Sequence, residues 1–391
     1  MRPARRIATV PPYLFAELDR RRAEVEARGV DVIPLGIGDP DLPTPEPVVA
    51  RLQAEAARPA NHRYPDYEGS RSFREACAAY MARRFGVELD PRTPPDGEVL
   101  ALIGAKEGLA HLVWAFVDPG DVALCPDPGY PVYAVHTRFA GGEPYPLPLR
   151  EERGFLPDLG AVPPAVARRA KILFLNYPNN PTAAVADLAF FEEAVAFCRR
   201  YDILLCHDAA YVEIGYDGYR APSVLQVPGA KDVAVEFHSL SKPFNMTGWR
   251  IGFACGSREA IRALSVVKSN TDSGPFTAVQ AAAEEALRLP PEVLDRQLEV
   301  YRRRRDLMVD ALRRAGIAAR SPQATIYLWC PVPRGETSAG FAARLLEEAG
   351  VFVTPGTGYG PHGEGYFRIS LTCPDDRLEE AARRIGALGG R

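Results

Sequence analysis

The chain has 391 residues, of which 47% are hydrophobic and 25% are charged, as in a globular protein with a large core. Its 47 basic and 50 acidic residues give a net charge of −3, which argues against nucleic acid or an anionic membrane as the main partner. Seven widely spaced cysteines without a C-x-x-C pair indicate neither a disulfide framework nor a zinc site. No run approaches the roughly 18 apolar residues of a membrane helix. We therefore predict a cytoplasmic protein that binds a small molecule and has no metal site.

The N-terminal segment, residues 1–45, contains proline-rich stretches at residues 11–12 and from residue 40 onward. It is too short to bury a core of its own. We expect it to pack with a small domain at the other end of the chain.

Residues 46–285 contain short apolar runs separated by segments of helical periodicity, such as Leu188 to Tyr201. Runs of four or five residues, rich in β-branched residues and leucine, are typical of strands buried on both faces. The five runs are Val99 to Ile103, Val122 to Cys125, Ile172 to Leu175, Ile203 to Cys206 and Val233 to Phe237. Alternating strands and helices predict an α/β fold, with a mostly parallel sheet flanked by helices in a large domain.

The pattern changes after about residue 285. A long amphipathic helix is predicted over residues 293–316, and it carries four consecutive arginines, Arg302 to Arg305. These could form a nucleic-acid patch, but the negative net charge favours a solvated helix face. Further strands are predicted at 325–329, 351–354 and 366–370, and further helices at 338–349 and from residue 375. Residues 286–391 are therefore predicted to form a smaller α+β domain.

Polar residues follow each of the five predicted strands of the large domain. Ligands of open α/β sheets bind beyond the carboxyl ends of the strands, so we expect these residues to line one pocket. The segments are Gly104-Ala105-Lys106, Asp127 to Tyr130, Asn176 to Thr182, His207 to Tyr211, and Ser239 to Lys242.

The chemistry of these segments suits one cofactor. A helix start, hydroxyl groups and Arg250 can hold a phosphate. A buried aspartate can fix a proton on a ring nitrogen, and a lysine can form a Schiff base with an aldehyde. Phosphate, protonated ring and aldehyde together describe pyridoxal 5′-phosphate. Nucleotide-binding motifs are absent, and lysine occurs at only five positions: 106, 171, 231, 242 and 268.

The same segments resemble a known signature. Asn179-Asn180-Pro181-Thr182, Asp208-x-x-Tyr211 and Ser239-x-Ser241-Lys242 with Arg250 are similar to the motifs of class I/II aminotransferases, which are fold-type-I pyridoxal phosphate enzymes. The segments 36–45, 64–69, 236–242 and 245–250 resemble the LL-diaminopimelate aminotransferases among them. The chain departs from the common pattern at Pro243, where many relatives have threonine, and at Ala183, where many have glycine.

The resemblance implies a role for each cofactor residue. Lys242 would carry the cofactor and move protons, which requires a neutral amine. Asp208 would bind the ring nitrogen, while Tyr211 and Asn180 would bind the phenolic oxygen. The phosphate would be held by the side chains of Ser239, Ser241 and Arg250 and by the backbone of Ala105 and Lys106. Tyr130 would stack on the ring, and whether the side chain of Lys106 contacts the cofactor or solvent is left open.

The resemblance also implies how substrate is bound. Arg368 would grip the α-carboxylate of the amino acid, because a planar guanidinium can bind it with two hydrogen bonds. Gly38 would let the backbone approach the same carboxylate, and Tyr13 would be a further contact. Tyr64 and Asn270 would reach substrate or phosphate across the interface of a homodimer.

The predicted reaction is transfer of an amino group from an amino-acid donor to a 2-oxo acid acceptor. Following the resemblance, the donor would be LL-diaminopimelate and the acceptor 2-oxoglutarate, giving tetrahydrodipicolinate and glutamate in lysine synthesis. Aspartate, aromatic or alanine aminotransferases would use the same catalytic set, and a pyridoxal phosphate lyase could share the cofactor contacts. A DNA-binding regulator with this fold would need a basic helix-turn-helix module, for which the N-terminal segment is unsuited.

Overall fold

The fold is known from a computed structural model, which describes residues 1–10 and 14–388. The strands in this part of the chain are β1 (Ile33–Pro34), β2 (Val99–Leu102), β3 (Val122–Asp127), β4 (Glu143–Pro148), β5 (Ala170–Leu175), β6 (Leu204–Asp208), β7 (Ala234–Ser239), β8 (Gly252–Gly256), β9 (Tyr327–Pro331), β10 (Val351–Phe352), β11 (Thr354–Pro355) and β12 (Tyr366–Ser370). The α-helices are α1 (Leu14–Glu26), α2 (Glu46–Ala56), α3 (Arg71–Phe85), α4 (Ala105–Phe116), α5 (Val132–Phe139), α6 (Pro164–Ala167), α7 (Leu188–Tyr201), α8 (Arg258–Ser269), α9 (Thr277–Arg288), α10 (Pro291–Arg314), α11 (Ser338–Ala349) and α12 (Asp375–Leu388).

The largest sheet has seven strands in the order β2-β8-β7-β6-β5-β3-β4. All its neighbouring strands are parallel except at β8, which runs antiparallel to both β2 and β7. The five apolar runs of the sequence correspond to β2, β3, β5, β6 and β7, so the predicted α/β class with a mostly parallel sheet is confirmed.

Each face of this sheet is covered by helices. Successive residues of a strand point to opposite faces. Leu173 of β5 therefore packs with Phe73 of α3 and Phe191 of α7 in one hydrophobic cluster, while its neighbour Ile172 packs with Leu109 of α4 in another. Because both faces are apolar and covered, polar side chains of the strands are exposed to ligand mainly at the strand ends.

A second core lies in the C-terminal part of the chain. Strands β11, β12 and β9 form an antiparallel sheet, which packs with α10, α11 and α12 around Phe367. Strand β1 pairs in parallel with β10, and Ile33 joins this core. The packing of residues 1–45 with a small domain and the division into residues 1–45, 46–285 and 286–391 remain predictions.

The arginine run of α10 corrects one interpretation of the sequence. Arg304 and Arg305 are each only 4% exposed. Arg304 binds Asp41 at 2.7 and 2.9 Å and Asp375 at 2.6 Å, and Arg305 binds Asp217 at 2.6 Å. The solvated-face interpretation was therefore wrong for these two residues, which pair α10 with three distant parts of the chain. No helix in the described part of the chain has the length and apolar character needed to cross a membrane.

Candidate active site

A cavity of about 440 Å³ lies at the carboxyl ends of the central parallel strands. It is bordered by residues that follow β2, β3, β5, β6 and β7, so the five polar strand ends do meet. Twelve of the residues singled out in the sequence line it: Gly38, Ala105, Lys106, Tyr130, Asn180, Asp208, Tyr211, Ser239, Ser241, Lys242, Arg250 and Arg368.

Asp208 is the last residue of β6 and is buried. The hydroxyl of Tyr133 donates to its Oδ2 at 2.8 Å, and the backbone N–H of Ala210 donates to its Oδ1 at 3.3 Å. The side-chain amide of Asn176 donates to its backbone oxygen at 2.7 Å. Burial raises the pKa of Asp208, while the Tyr133 hydrogen bond and the charge of His207 act in the opposite direction. The carboxylate is thus held rigidly and gains from a positive partner.

Lys242 follows β7 and turns its amine into the cavity, where Nζ donates to the backbone oxygen of Gly38 at 2.6 Å. Burial lowers the pKa of Lys242, and the positive charges of Arg368 and Arg250 act in the same direction, against opposing effects from Tyr327 and Asp39. A lowered pKa makes the neutral amine, the nucleophilic and proton-accepting form, more accessible.

A cradle for an anion lies where α4 begins. Gly104 precedes the helix with φ of 77°, and a methyl group at this position would overlap the guanidinium of Arg250. Antiparallel pairing of β2 with β8 places Leu102 opposite Gly252, which brings Arg250 beside the helix start. The first N–H groups of a helix have no partners within the helix and favour an anion. Ser239 and Ser241 border the same cavity.

Arg368 of β12 is almost fully buried on the other side of the cavity. Its Nη1 donates to Oδ1 of Asn180 and its Nη2 to the backbone oxygen of Gly36, both at 2.7 Å. Its guanidinium lies 4.0 Å from the ring centre of Tyr327 and 4.9 Å from that of Tyr359. Within the described part of the chain, Nε has no hydrogen-bond partner. A buried cation with an unused donor is suited to binding a carboxylate.

Tyr211 and Tyr327 meet at the base of the cavity, with their hydroxyl oxygens 2.9 Å apart. Burial, the neighbouring Tyr327 and their shared hydrogen bond raise the pKa of Tyr211, so it is a neutral hydrogen-bond donor. Gly38 is required here, because a Cβ at that position would overlap the Tyr327 hydroxyl.

Sequence reasoning assigned no role to Tyr133, Tyr327 or Asn176. Asn176 had a visible signal, because it directly follows a predicted strand. Tyr133 lies inside α5 and Tyr327 is the first residue of β9, and at both positions the sequence alone does not separate a site residue from a core residue.

Two of the expected site residues, Tyr64 and Asn270, do not line the cavity of this chain. Tyr64 is 85% exposed. Asn270 is exposed at the end of α8, where its side-chain amide donates to the backbone of Val266 at 2.8 Å. Tyr13 lies outside the described residues. The side chain of Lys106 is exposed at the cavity edge.

The profile of the family described as aminotransferase class I and II matches residues 30–385. The chain belongs to this family. It is 58% identical over 391 residues to the LL-diaminopimelate aminotransferase of Moorella thermoacetica, covering 100% of this chain and 99% of that protein. Among solved structures, it is similar to substrate-bound BacF from Bacillus subtilis, with a TM-score of 0.94 and 38% identity over 100% of this chain and 98% of that one. It is also similar to the aspartate aminotransferase of Thermus thermophilus with maleate, with a TM-score of 0.90 and 33% identity over 99% and 100% of the two chains.

The protein is therefore an aminotransferase, and the predicted family and fold are confirmed. Aminotransferases of this class depend on pyridoxal 5′-phosphate, and the cavity fits that group. The close approach of Arg250 to Gly104 at the start of α4 would suit a phosphate, Asp208 offers a buried carboxylate, and Lys242 offers an amine with a lowered pKa. Phosphate, ring nitrogen and aldehyde each have a complementary partner.

Proposed function

We propose that this aminotransferase transfers an amino group from LL-diaminopimelate to 2-oxoglutarate, giving tetrahydrodipicolinate and glutamate in lysine synthesis. The observation that carries the choice of donor is the 58% identity, over the full length of both chains, with an enzyme named for that substrate. Side-chain selectivity often depends on contacts of about 1–3 kcal/mol each, so similarity over the whole chain is a stronger argument than any single cavity residue.

The cofactor would be held by residues from both edges of the cavity. Ser239, Ser241, Arg250 and the backbone of Ala105 and Lys106 would bind its phosphate. Asp208 would bind the ring nitrogen, Tyr211 and the side-chain N–H groups of Asn180 the phenolic oxygen, and Tyr130 the ring face. When bound, pyridoxal phosphate supplies an electron sink for the carbanion that forms when Cα loses its proton.

The chain's own contribution is to move and hold protons. Lys242 would accept a proton at Nζ and release it again, because its lowered pKa makes the neutral amine more accessible. Asp208 remains ionised beside a protonated ring nitrogen, since the positive partner offsets the desolvation of its buried carboxylate.

Substrate orientation is assigned to Arg368. Its unused Nε and its stacking on Tyr327 and Tyr359 support the binding of the α-carboxylate of donor and acceptor alike. The backbone of Gly38 lies beside the Lys242 amine and would approach the same carboxylate. Tyr13 is proposed as a further contact with substrate.

We also propose a homodimer in which Tyr64 and Asn270 of each chain complete the site of the other. Three exposed aromatic side chains support an interface: Tyr64, Tyr67 and Phe276. They belong to one region of the surface, because residues 65–67 pack against Gly274, which lies two residues before Phe276. Exposed aromatic clusters of this kind mark protein interfaces.

A second candidate is transfer from a smaller dicarboxylate such as aspartate. The likeness to the Thermus thermophilus aspartate aminotransferase, which covers nearly all of both chains, favours it over a lyase.

The test is a glutamate assay with 2-oxoglutarate and one donor at a time. The proposal predicts that kcat/KM for LL-diaminopimelate exceeds that for aspartate by at least about tenfold, equal to roughly 1.4 kcal/mol. Faster turnover of aspartate would contradict the choice of donor. Consumption of donor without an equal amount of glutamate would contradict transamination and support a lyase.

A further inference from the structure

Glu236 is a buried carboxylate that the proposed reaction leaves unused. It lies in β7 and is fully buried. His238 Nε2 is 2.8 Å from one carboxylate oxygen, and His207 Nδ1 is 3.5 Å from the other. The Ser223 hydroxyl donates to Glu236 Oε2 at 2.7 Å. Burial alone would raise the pKa of Glu236, but contacts with His207 and His238 lower it well below its usual range. The group is therefore a carboxylate inside the protein.

The cluster lies next to Asp208 along β6 and β7, but on the opposite face of the sheet. Across β6 and β7, His207 is opposite Glu236, and Asp208 is opposite Phe237. Because adjacent residues of a strand face opposite sides, the imidazole of His207 lies on one face of the sheet while the carboxylate of Asp208 lies on the other. The charges of His207 and His238 both lower the pKa of Asp208, against the raising effect of its burial.

Packing does not explain this cluster. The ring of His238 stacks on Phe253 at 4.7 Å, and the surrounding face of the sheet is a hydrophobic cluster. Apolar residues of similar volume would fill the same space, and replacing buried ion pairs in this way is often neutral or stabilising. A charged cluster at the end of β6 and β7 therefore points to the site that these strands present.

We propose that Glu236, His207 and His238 form a positioning cluster that keeps Asp208 ionised, so that Asp208 can hold a proton on the ring nitrogen of the cofactor. The proposal rests on the function proposed above, because it requires Asp208 to face that nitrogen. In Glu236→Gln, His207 and His238 lose the carboxylate that both of them contact. Their lowering effect on the pKa of Asp208 would be weakened, and the burial of Asp208 would then favour the protonated carboxyl.

The test is nitrogen-15 NMR of the holoenzyme loaded with ring-labelled pyridoxal phosphate, together with titration of cofactor affinity. In Glu236→Gln, the ring-nitrogen resonance should move toward the unprotonated position, and the dissociation constant of the cofactor should rise about tenfold, the equivalent of one pKa unit. The matched control is Glu98→Gln. Glu98 is also buried, at the outer edge of the same sheet, where it pairs with Lys231 at 3.0 Å, and its replacement should leave both readouts unchanged.

His238→Gln is the second variant, because it keeps Glu236 and removes one imidazole; it should shift both readouts in the same direction. It decides the question if circular dichroism shows that Glu236→Gln does not fold. A protonated ring nitrogen with unchanged affinity in the variants would overturn the proposal, as would an equal shift in Glu98→Gln. An unprotonated ring nitrogen in the wild type would overturn the assignment of Asp208 itself, whereas the glutamate assay tests the donor separately.

Discussion

Arg368 and Asn180 are joined by a hydrogen bond of 2.7 Å between Nη1 and Oδ1. It connects β12 of the C-terminal sheet with the segment that follows β5 of the large sheet. The residue proposed to hold the substrate carboxylate therefore touches a residue proposed to hold the cofactor. If Arg368 binds substrate as proposed, this contact couples that binding to the orientation of Asn180.

Replacement of Arg368 tests this coupling. Arg368→Lys loses the planar fork that reaches Asn180 and Gly36, so KM for donor and acceptor should rise about 10- to 100-fold, as expected for hydrogen bonds to a charged group. Steady-state kinetics with both substrates measures the effect. Arg296→Lys changes an exposed arginine of α10 and should leave KM unaltered; an unaltered KM in Arg368→Lys would contradict the assignment.

The phosphate cradle is tested by a pair of glycine variants. Gly104 and Gly86 both have positive φ, 77° and 67°, but their ψ values differ. With ψ of 23°, Gly86 lies in the left-handed helical region, where alanine costs about 1–2 kcal/mol, whereas Gly104, with ψ of 153°, lies in a region that is nearly exclusive to glycine. A methyl group at Gly104 overlaps Arg250, whereas one at Gly86 meets nothing within 4 Å. Gly104→Ala should therefore weaken cofactor binding at least about tenfold more than Gly86→Ala, measured by fluorescence titration. Equal losses in the two variants would argue against a phosphate at this helix start.

Asp208 is predicted to cost stability in the absence of cofactor. Burial raises the pKa of Asp208, so the folded protein favours the protonated carboxyl. As the pH rises from about 3.9, the ordinary aspartate value, through the raised pKa, the wild type therefore loses stability relative to Asp208→Asn. Without cofactor at neutral pH, Asp208→Asn should melt at a higher temperature than the wild type, and the difference should vanish in strong acid.

With cofactor, the order of the two proteins should reverse, because the variant loses a charged partner and binds about 10- to 100-fold more weakly. Thermal melts with and without pyridoxal phosphate, repeated across pH, measure both effects. The control is Asp232→Asn, whose side chain is 74% exposed and which should change neither. A destabilised Asp208→Asn protein at neutral pH without cofactor would contradict the pKa argument.

The Tyr133 hydroxyl, which donates to Asp208 at 2.8 Å, has a smaller predicted effect. Tyr133→Phe should weaken cofactor binding about 3- to 10-fold, the value of one net hydrogen bond. Tyr177→Phe also removes a buried hydroxyl, but one that donates to the backbone of Phe155, and it should leave cofactor affinity unchanged. If both variants bind the cofactor alike, Tyr133 does not support Asp208.

The sequence predicted the central sheet well because its parallel strands are buried on both faces and appear as short apolar runs. It missed two strands for physical reasons. Strand β4 contains Pro144, Pro146 and Pro148, which is tolerated because β4 is an edge strand. Strand β8 is short, begins and ends with glycine, and contains no β-branched residue.

The polar cavity residues were visible because they follow strand ends. Contacts made by packed residues were not, since the direction of a side chain depends on register. Tyr327 begins β9 and lies between the apolar residues Ile326 and Leu328 in the sequence. Its pairing with Ser370 in the antiparallel sheet sets its ring beside Arg368. The buried pairing of Arg304 with Asp41 was likewise hidden, because 263 residues separate them.

The central claim is that Lys242 carries the cofactor, and it has a direct test. Borohydride reduction of the holoenzyme, followed by proteolysis and peptide mass mapping, fixes the cofactor on the lysine that binds it. The chain has five lysines, at 106, 171, 231, 242 and 268, so the result is unambiguous. We predict the phosphopyridoxyl mass on the peptide containing Lys242 alone. Its presence on any of the other four, or on none while the enzyme is active, would contradict the account.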